Sequence, residues 1–172
     1  MVPITSPWPF EQWETDIIGP FPKAVSNYIF LVVAVDYFTK WVEIEPLRNI
    51  TDFAIQKFFW KCIVCRFKIP GIIISDNEKQ FADNPFKGWC ENLGINQHFT
   101  SVGHPQANGQ AENFNQTLLH GLKIRLHQVG SFWADKLPNV LWSYRTTPRS
   151  TTQEIPIFLT YRSEAVIPTE II

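Results

Sequence analysis

The sequence is poor in cysteine, in net charge and in long apolar runs, and each shortage excludes a class of protein. Three cysteines in 172 residues do not provide a disulfide framework and fit a reducing compartment. A net charge of −1 argues against a strongly basic nucleic-acid binder, although it leaves room for a local basic face. No apolar run reaches the roughly 18 residues that span a bilayer, and "MVPITSPWPF" lacks the regions of a secretory signal. We therefore expect no membrane partner.

What is present indicates one folded α/β domain. Apolar residues make up 45% of the chain and charged residues 18%, which suits a single globular core. The pattern predicts strands over 13–18, 28–35, 41–45, 72–75 and 95–100, and helices over 51–66, 84–94, 111–127 and 132–144. Phe53 is expected on the buried side of the first helix, and the third strand is expected to alternate as an outer strand. Adjacent strands followed by helix-separated strands predict a mixed sheet.

Three carboxylates stand out by their positions. Asp16 lies in the first predicted strand, Asp76 ends the fourth in "IIISDNEKQF", and Glu112 opens the long helix. Taken singly, each also fits an ordinary role as a turn residue, a cap or a helix N-terminal charge. If the first and fourth strands are neighbours, the carboxylates converge and repel one another. A divalent cation relieves that repulsion, and Mg²⁺ prefers oxygen ligands of this kind.

A set of motifs carries a family resemblance. Asp76 and Glu112 have 35 residues between them, and the chain contains "TDIIGPFP", "VAVDYFTKWVE", "SDN", "GHPQANGQAE" and "LWSYRTTPR". From about Trp8 to its end the chain resembles the catalytic core of a plant-like, gypsy-type LTR retrotransposon integrase, of the D,D-35-E family. The resemblance implies a ribonuclease H-like fold, with a five-stranded mixed sheet flanked by helices. It also implies that Asp16, Asp76 and Glu112 are the catalytic residues and the ligands of two Mg²⁺ or Mn²⁺ ions.

The resemblance extends to partners and to domain organisation. The expected partners are DNA, both element ends and target, and further copies of the chain in a homodimer or higher multimer, acting in the nucleus. The expected DNA contacts are Lys79, His104, Asn108, Gln110, Asn115, Gln116 and Lys123. The chain is expected to be a single core domain over residues 1–172, with the core at about 8–145 and a Pro- and Thr-rich tail at 146–172. The family's zinc-binding N-terminal and basic C-terminal domains are expected to be absent.

The implied activity is metal-dependent polynucleotidyl transfer, in which 3′-end processing precedes strand transfer into target DNA. An alternative is a weak or inactive remnant that serves as a nucleic-acid-binding or dimerisation module. Glu78 and Gln116 favour it, because they stand where the family usually has a glycine and a basic residue. A nuclease that cuts RNA–DNA hybrids would have the same fold and would also bind metal ions through carboxylates, but "GHPQANGQAE" favours an integrase. Cys62 and Cys65 form a C-x-x-C pair that is interpreted as structural, since a second ligand pair for zinc is missing.

Overall fold

A computed structural model describes residues 8–100 and 109–147, without the side chains of Asp52 and residues 109–114. One five-stranded sheet forms the centre of the domain, in the order β3-β2-β1-β4-β5. The strands are β1 Gln12–Ile18, β2 Phe30–Asp36, β3 Val42–Leu47, β4 Ile72–Asp76 and β5 Asn96–Thr100. The first three strands pair antiparallel, whereas β1 with β4 and β4 with β5 pair parallel. The predicted mixed sheet and its flanking helices are confirmed.

Helices cover the sheet, and their ends follow local sequence signals. They are α1 Asp52–Phe59, α2 Lys79–Ala82, α3 Phe86–Leu93, α4 Gly109–Val129 and α5 Trp133–Thr146. Thr51 caps α1, because its side-chain oxygen accepts a hydrogen bond from the Ala54 amide at 3.2 Å. The chain then widens into a π-helical turn over Trp60–Val64. Gly94 ends α3 with a φ of +72°, a conformation that glycine adopts without strain. No helix in residues 8–100 and 109–147 is long and apolar enough to cross a bilayer.

Alternation along the strands creates one apolar cluster on each face of the sheet. On the first face, Trp13 of β1 packs with residues of α1 and α3, among them Phe58 and Phe86. On the second face, Ile18 of β1 belongs to the cluster that contains Leu118 and Leu122 of α4. Successive strand residues point to opposite faces, so the even-numbered residues of β1 face α4. This places Glu14 and Asp16 on the α4 side of the sheet.

Two expectations about side-chain burial are wrong. Phe53 in α1 is 68% exposed, so it does not belong to the buried side of that helix. Strand β3 does not alternate as an outer strand would, because Trp41 before it, Val42 and Glu43 are all buried. Glu43 is only 2% exposed, and it tolerates burial because three side chains donate hydrogen bonds to or pair with its carboxylate.

The Glu43 carboxylate joins three parts of the chain. It accepts from Trp41 Nε1 at 2.9 Å and from Arg66 Nη1 at 3.0 Å, and it pairs with Arg145 Nη2 at 3.1 Å. Arg145 also donates to the Val42 carbonyl oxygen at 2.8 Å and lies 3.9 Å from the centroid of the Trp41 ring. These contacts fasten the C-terminal end of α5 to the outer strand β3.

The two arginines should contribute unequally to stability. The side chain of Arg145 is 15% exposed and that of Arg66 is 52% exposed, so only Arg145 lies in a largely desolvated setting. We expect Arg145→Ala to lower the free energy of unfolding by about 3 kcal/mol, because a buried carboxylate loses its most enclosed partner. Arg66→Ala should lower it by less than about 1 kcal/mol. Urea titrations of both variants measure the difference, and equal losses would contradict this account of the network.

Candidate active site

Asp16 and Asp76 lie on adjacent parallel strands, and the charge of Asp76 acts on Asp16. The pairing of β1 with β4 matches Glu14 with Ile74, and Asp16 and Asp76 each follow two residues later. Both therefore lie on the same face of the sheet, near the carboxyl-terminal ends of these two strands. The sequence leaves open whether the first and fourth strands are neighbours, and the structure shows that they are.

Burial and negative neighbours hold Asp16 in an unusual electrostatic state. Its Oδ1 accepts a hydrogen bond from the Ile17 amide at 2.8 Å. Desolvation by burial raises the pKa of Asp16 from 3.8 to about 6, and that hydrogen bond opposes the rise. The charges of Asp76, Glu78 and Glu14 raise it further. A carboxylate in this setting is stabilised by any cation that binds beside it.

Asp76 has a similar but more open environment. Its Oδ1 accepts from the Glu78 amide at 3.2 Å. Burial raises the pKa of Asp76, the backbone hydrogen bond lowers it, and the charge of Glu78 raises it again. Glu78 has a φ of −73°, which any residue adopts, so a glutamate here causes no backbone strain. Its side chain accepts a hydrogen bond from Gln80, and among the described residues it forms no ion pair with Lys79.

Helix α4 brings a third group of residues to this face. Glu112 belongs to the first turn of α4, although its side chain lies outside the described part. Asn115, three residues further, is 5% exposed, and its Nδ2 donates a hydrogen bond to Glu14 Oε2. Asp16, Glu14 and Asn115 line one small crevice together with Val33, Val35 and Leu119. The N-terminal part of α4 is thus attached to strand β1 beside Asp16.

The other residues predicted to contact DNA occupy different settings. Lys79, Gln116 and Lys123 are exposed, as a DNA contact requires. Asn115 is buried and bonded within the domain, so the structure turns its side chain away from solvent. Gln110 lies in α4 with its side chain outside the described part, and His104 and Asn108 lie outside the described residues altogether.

The donor chemistry of the site fits a hard cation. Asp16 and Asp76 supply carboxylate oxygens, and the negative charges around Asp16 would be relieved by a divalent ion. Among the side chains that the structure describes, no group of three His, Cys, Asp or Glu residues is gathered closely enough to hold a metal. Glu112 is an acidic residue in the first turn of α4. Cys62 is a buried free thiol whose pKa burial raises to about 11, which agrees with a structural role.

Glu14 is the member of this cluster that sequence reasoning missed. It stands two residues before Asp16 in a predicted strand, and period-two alternation puts both on one face. That spacing was a usable signal. The hydrogen-bond partner of Glu14 on α4, Asn115, could not be predicted from that spacing.

The raised pKa of Asp16 predicts a pH-dependent effect of neutralising it. The folded-state value of about 6 exceeds the ordinary 3.8, so the charged carboxylate destabilises the metal-free fold above pH 6. This penalty disappears as the pH falls from 6 to 4, where the folded protein takes up a proton first. Without metal at pH 7, Asp16→Asn should therefore raise the free energy of unfolding by up to about 3 kcal/mol. The difference between variant and parent should vanish near pH 4 in paired denaturant titrations, and a pH-independent difference would contradict it.

Comparison with known proteins identifies relatives of this chain. The integrase core domain family matches residues 7–105. The chain is 34% identical over 141 residues to the Gag-Pol polyprotein of avian reticuloendotheliosis virus, covering 81% of this chain and 12% of that polyprotein. It is 30% identical over 165 residues to the Transposon Tf2-3 polyprotein of Schizosaccharomyces pombe, covering 95% of this chain and 12% of that polyprotein.

A solved structure shows the same fold. The HTLV-2 integrase catalytic core domain in complex with magnesium, in a trimeric form, superposes with a TM-score of 0.66 at 18% identity, covering 89% of this chain and 97% of that one. The chain spans about one eighth of the length of the two polyproteins. With the family match extending over more than half of its residues, the chain belongs to the integrase core domain family.

Proposed function

We propose that this chain is the catalytic core of a gypsy-type LTR retrotransposon integrase that performs metal-dependent polynucleotidyl transfer on DNA. One observation carries the proposal: Asp16 and Asp76 each stand two residues beyond a paired position of adjacent parallel strands, on the face that α4, the helix containing Glu112, covers. The likeness to retroviral and Tf2 polyproteins supports an LTR-type element, and the motifs quoted above support the gypsy type.

In this proposal Asp16, Asp76 and Glu112 are the catalytic residues. Their carboxylates would hold Mg²⁺ or Mn²⁺, with two ions as the full complement. Two bound ions would activate the attacking oxygen and stabilise the leaving oxygen of an in-line displacement. Asp16 contributes a desolvated carboxylate fixed by the Ile17 amide, and Asp76 contributes a more open one fixed by the Glu78 amide. Because both stand on paired strands, their separation is set by the sheet and needs no reorganisation during the reaction.

The proposed reaction has two steps on DNA. Water attacks a phosphodiester near the 3′ end of the element, and the P–O bond to the trimmed nucleotides breaks to leave a free 3′-hydroxyl. That hydroxyl then attacks a target phosphodiester, forms a new P–O bond and releases the target's own 3′-hydroxyl. Lys79, Gln116 and Lys123 are exposed and would contact phosphates and position the strands. His104, Asn108 and Gln110 complete the proposed DNA contacts.

The proposal includes the setting in which the core works. Joining two element ends to one target requires more than one active site, so we propose a homodimer or higher multimer. Chromosomal DNA as the target places the activity in the nucleus. The tail over residues 146–172 would follow the catalytic core.

A second candidate function rests on Glu78. This residue adds a negative charge that raises the pKa of both Asp16 and Asp76, where the family usually has a glycine. A site with this extra charge would bind phosphate less well. The chain would then serve as a DNA-binding or dimerisation module with little catalysis.

An oligonucleotide strand-transfer assay in Mn²⁺ separates the two candidates. The parent should join a labelled duplex to target DNA, and Asp76→Asn should reduce the product to background because a metal ligand is lost. Asp83→Asn is the matched control, since Asp83 is exposed just after α2, and it should stay within about twofold of the parent.

Thermal unfolding of the same proteins provides the second measurement. A cation at ten times its dissociation constant stabilises the folded state by about 1.4 kcal/mol, or about 3–5 °C in Tm for a chain of this size. We expect that rise in the parent and in Asp83→Asn but not in Asp76→Asn. A rise without strand transfer would favour the non-catalytic module. An equal rise in all three proteins would contradict the metal site.

A further inference from the structure

Glu14 and Asn115 form a polar contact between strand β1 and helix α4. Asn115 donates from Nδ2 to Glu14 Oε2, and Tyr37 donates from its hydroxyl to the same oxygen at 2.9 Å. The apolar neighbours in the crevice are Val33, Val35 and Leu119. Asn115 is 5% exposed, so its side chain cannot be exchanging this partner freely with water.

The turn after β2 places further polar groups beside Glu14. Lys40 is 8% exposed and its Nζ lies 5.2 Å from the centroid of the Tyr37 ring, which itself bonds Glu14. Burial lowers the pKa of Lys40, while the charges of Asp36 and Glu14 oppose that change. Glu14 thus has a hydroxyl donor, an amide donor and a nearby ammonium group, a set that stabilises a partly buried carboxylate.

An apolar pair of similar size could have joined α4 to the sheet with no loss of stability. What a hydrogen bond adds is direction, since donor and acceptor must be aligned and at fixed distance. Apolar contacts of the kind made by Leu118 and Leu122 tolerate small rotations and slides of the helix. The contact between Asn115 and Glu14 depends on alignment, so it favours one rotation of α4 about its axis and one position along β1.

The spacing of residues links this contact to the proposed active site. Glu14 precedes Asp16 by two residues on one face of β1. Position 112 precedes Asn115 by three residues, and positions three apart lie on one side of a helix. We infer that Glu14 and Asn115 are positioning residues, whose hydrogen bond sets the first turn of α4 so that Glu112 meets Asp16 and Asp76 around the cation. This inference rests on the proposed function, and it assigns Asn115 a role other than DNA contact.

The test is a Mn²⁺ titration of the full chain, followed by thermal unfolding. Asn115→Ala and Glu14→Ala should each raise the Mn²⁺ concentration at half-maximal stabilisation about tenfold, which corresponds to about 1.4 kcal/mol. Glu14→Gln should stay within about threefold of the parent, because its amide oxygen still accepts the bond from Asn115. The double alanine variant should be no more than about twofold worse than either single variant, since both remove the same contact.

Controls separate positioning from a general loss of stability. Asn139→Ala, at an exposed site on α5, should leave the Mn²⁺ midpoint unchanged. If an alanine variant does not fold, Asn115→Ser takes its place, because serine is too short to reach Glu14. If the parent responds to Mn²⁺ and all variants have the same Mn²⁺ midpoint as the parent, the positioning role is wrong and the metal site stands. A parent with no Mn²⁺ response would overturn the metal site of the proposed function, and the positioning role with it.

Discussion

The parallel pairing of β1 with β4 is the constraint on which the rest of the site depends. It brings the strand ends that carry Asp16 and Asp76 together on one face, where the charge of Asp76 raises the pKa of Asp16. The domain tolerates this arrangement at the expense of stability, as the raised pKa of about 6 for Asp16 indicates. A fold selected only for stability would not bury acidic groups together. The arrangement is favourable when a cation neutralises it, which links the local electrostatics to phosphoryl-transfer chemistry.

The remaining structure keeps that pairing rigid. Aromatic side chains around Trp13 and Phe58 fill the face opposite the site, and the leucines of α4 fill the near face. Arg145 and Glu43 fasten α5 to the outer strand at the far end of the sheet. Catalytic groups on paired strands and on a packed helix are held more precisely than groups on loops. Within the described residues, the hydrogen bond from Asn115 to Glu14 is a polar link between helix α4 and strand β1.

Sequence patterns predicted the elements well where one physical cause dominated. The continuous β-branched and aromatic run of β2 has no competing interpretation, and the four-residue spacing of Leu118 to Leu126 fits only a helix with one buried side. The prediction that Phe53 is buried was wrong because an apolar residue in the first turn of a helix does not show which face of that helix is covered. The predicted alternation of the third strand was wrong because the burial of Glu43 depends on arginines 23 and 102 residues away. The bond of Asn115 to Glu14 could not be predicted either, because the two residues are 101 positions apart.

Crystals grown with Mn²⁺ offer the most direct measurement of the central idea, that the paired strands exist to hold a cation. An anomalous-difference map locates manganese independently of any activity. We expect a peak within coordination distance of both the Asp16 and the Asp76 carboxylates, with a carboxylate from α4 completing the ligands. Asp76→Asn crystals should show no such peak. Manganese bound only at other surface carboxylates, or contacting one of the two aspartates without the other, would contradict it.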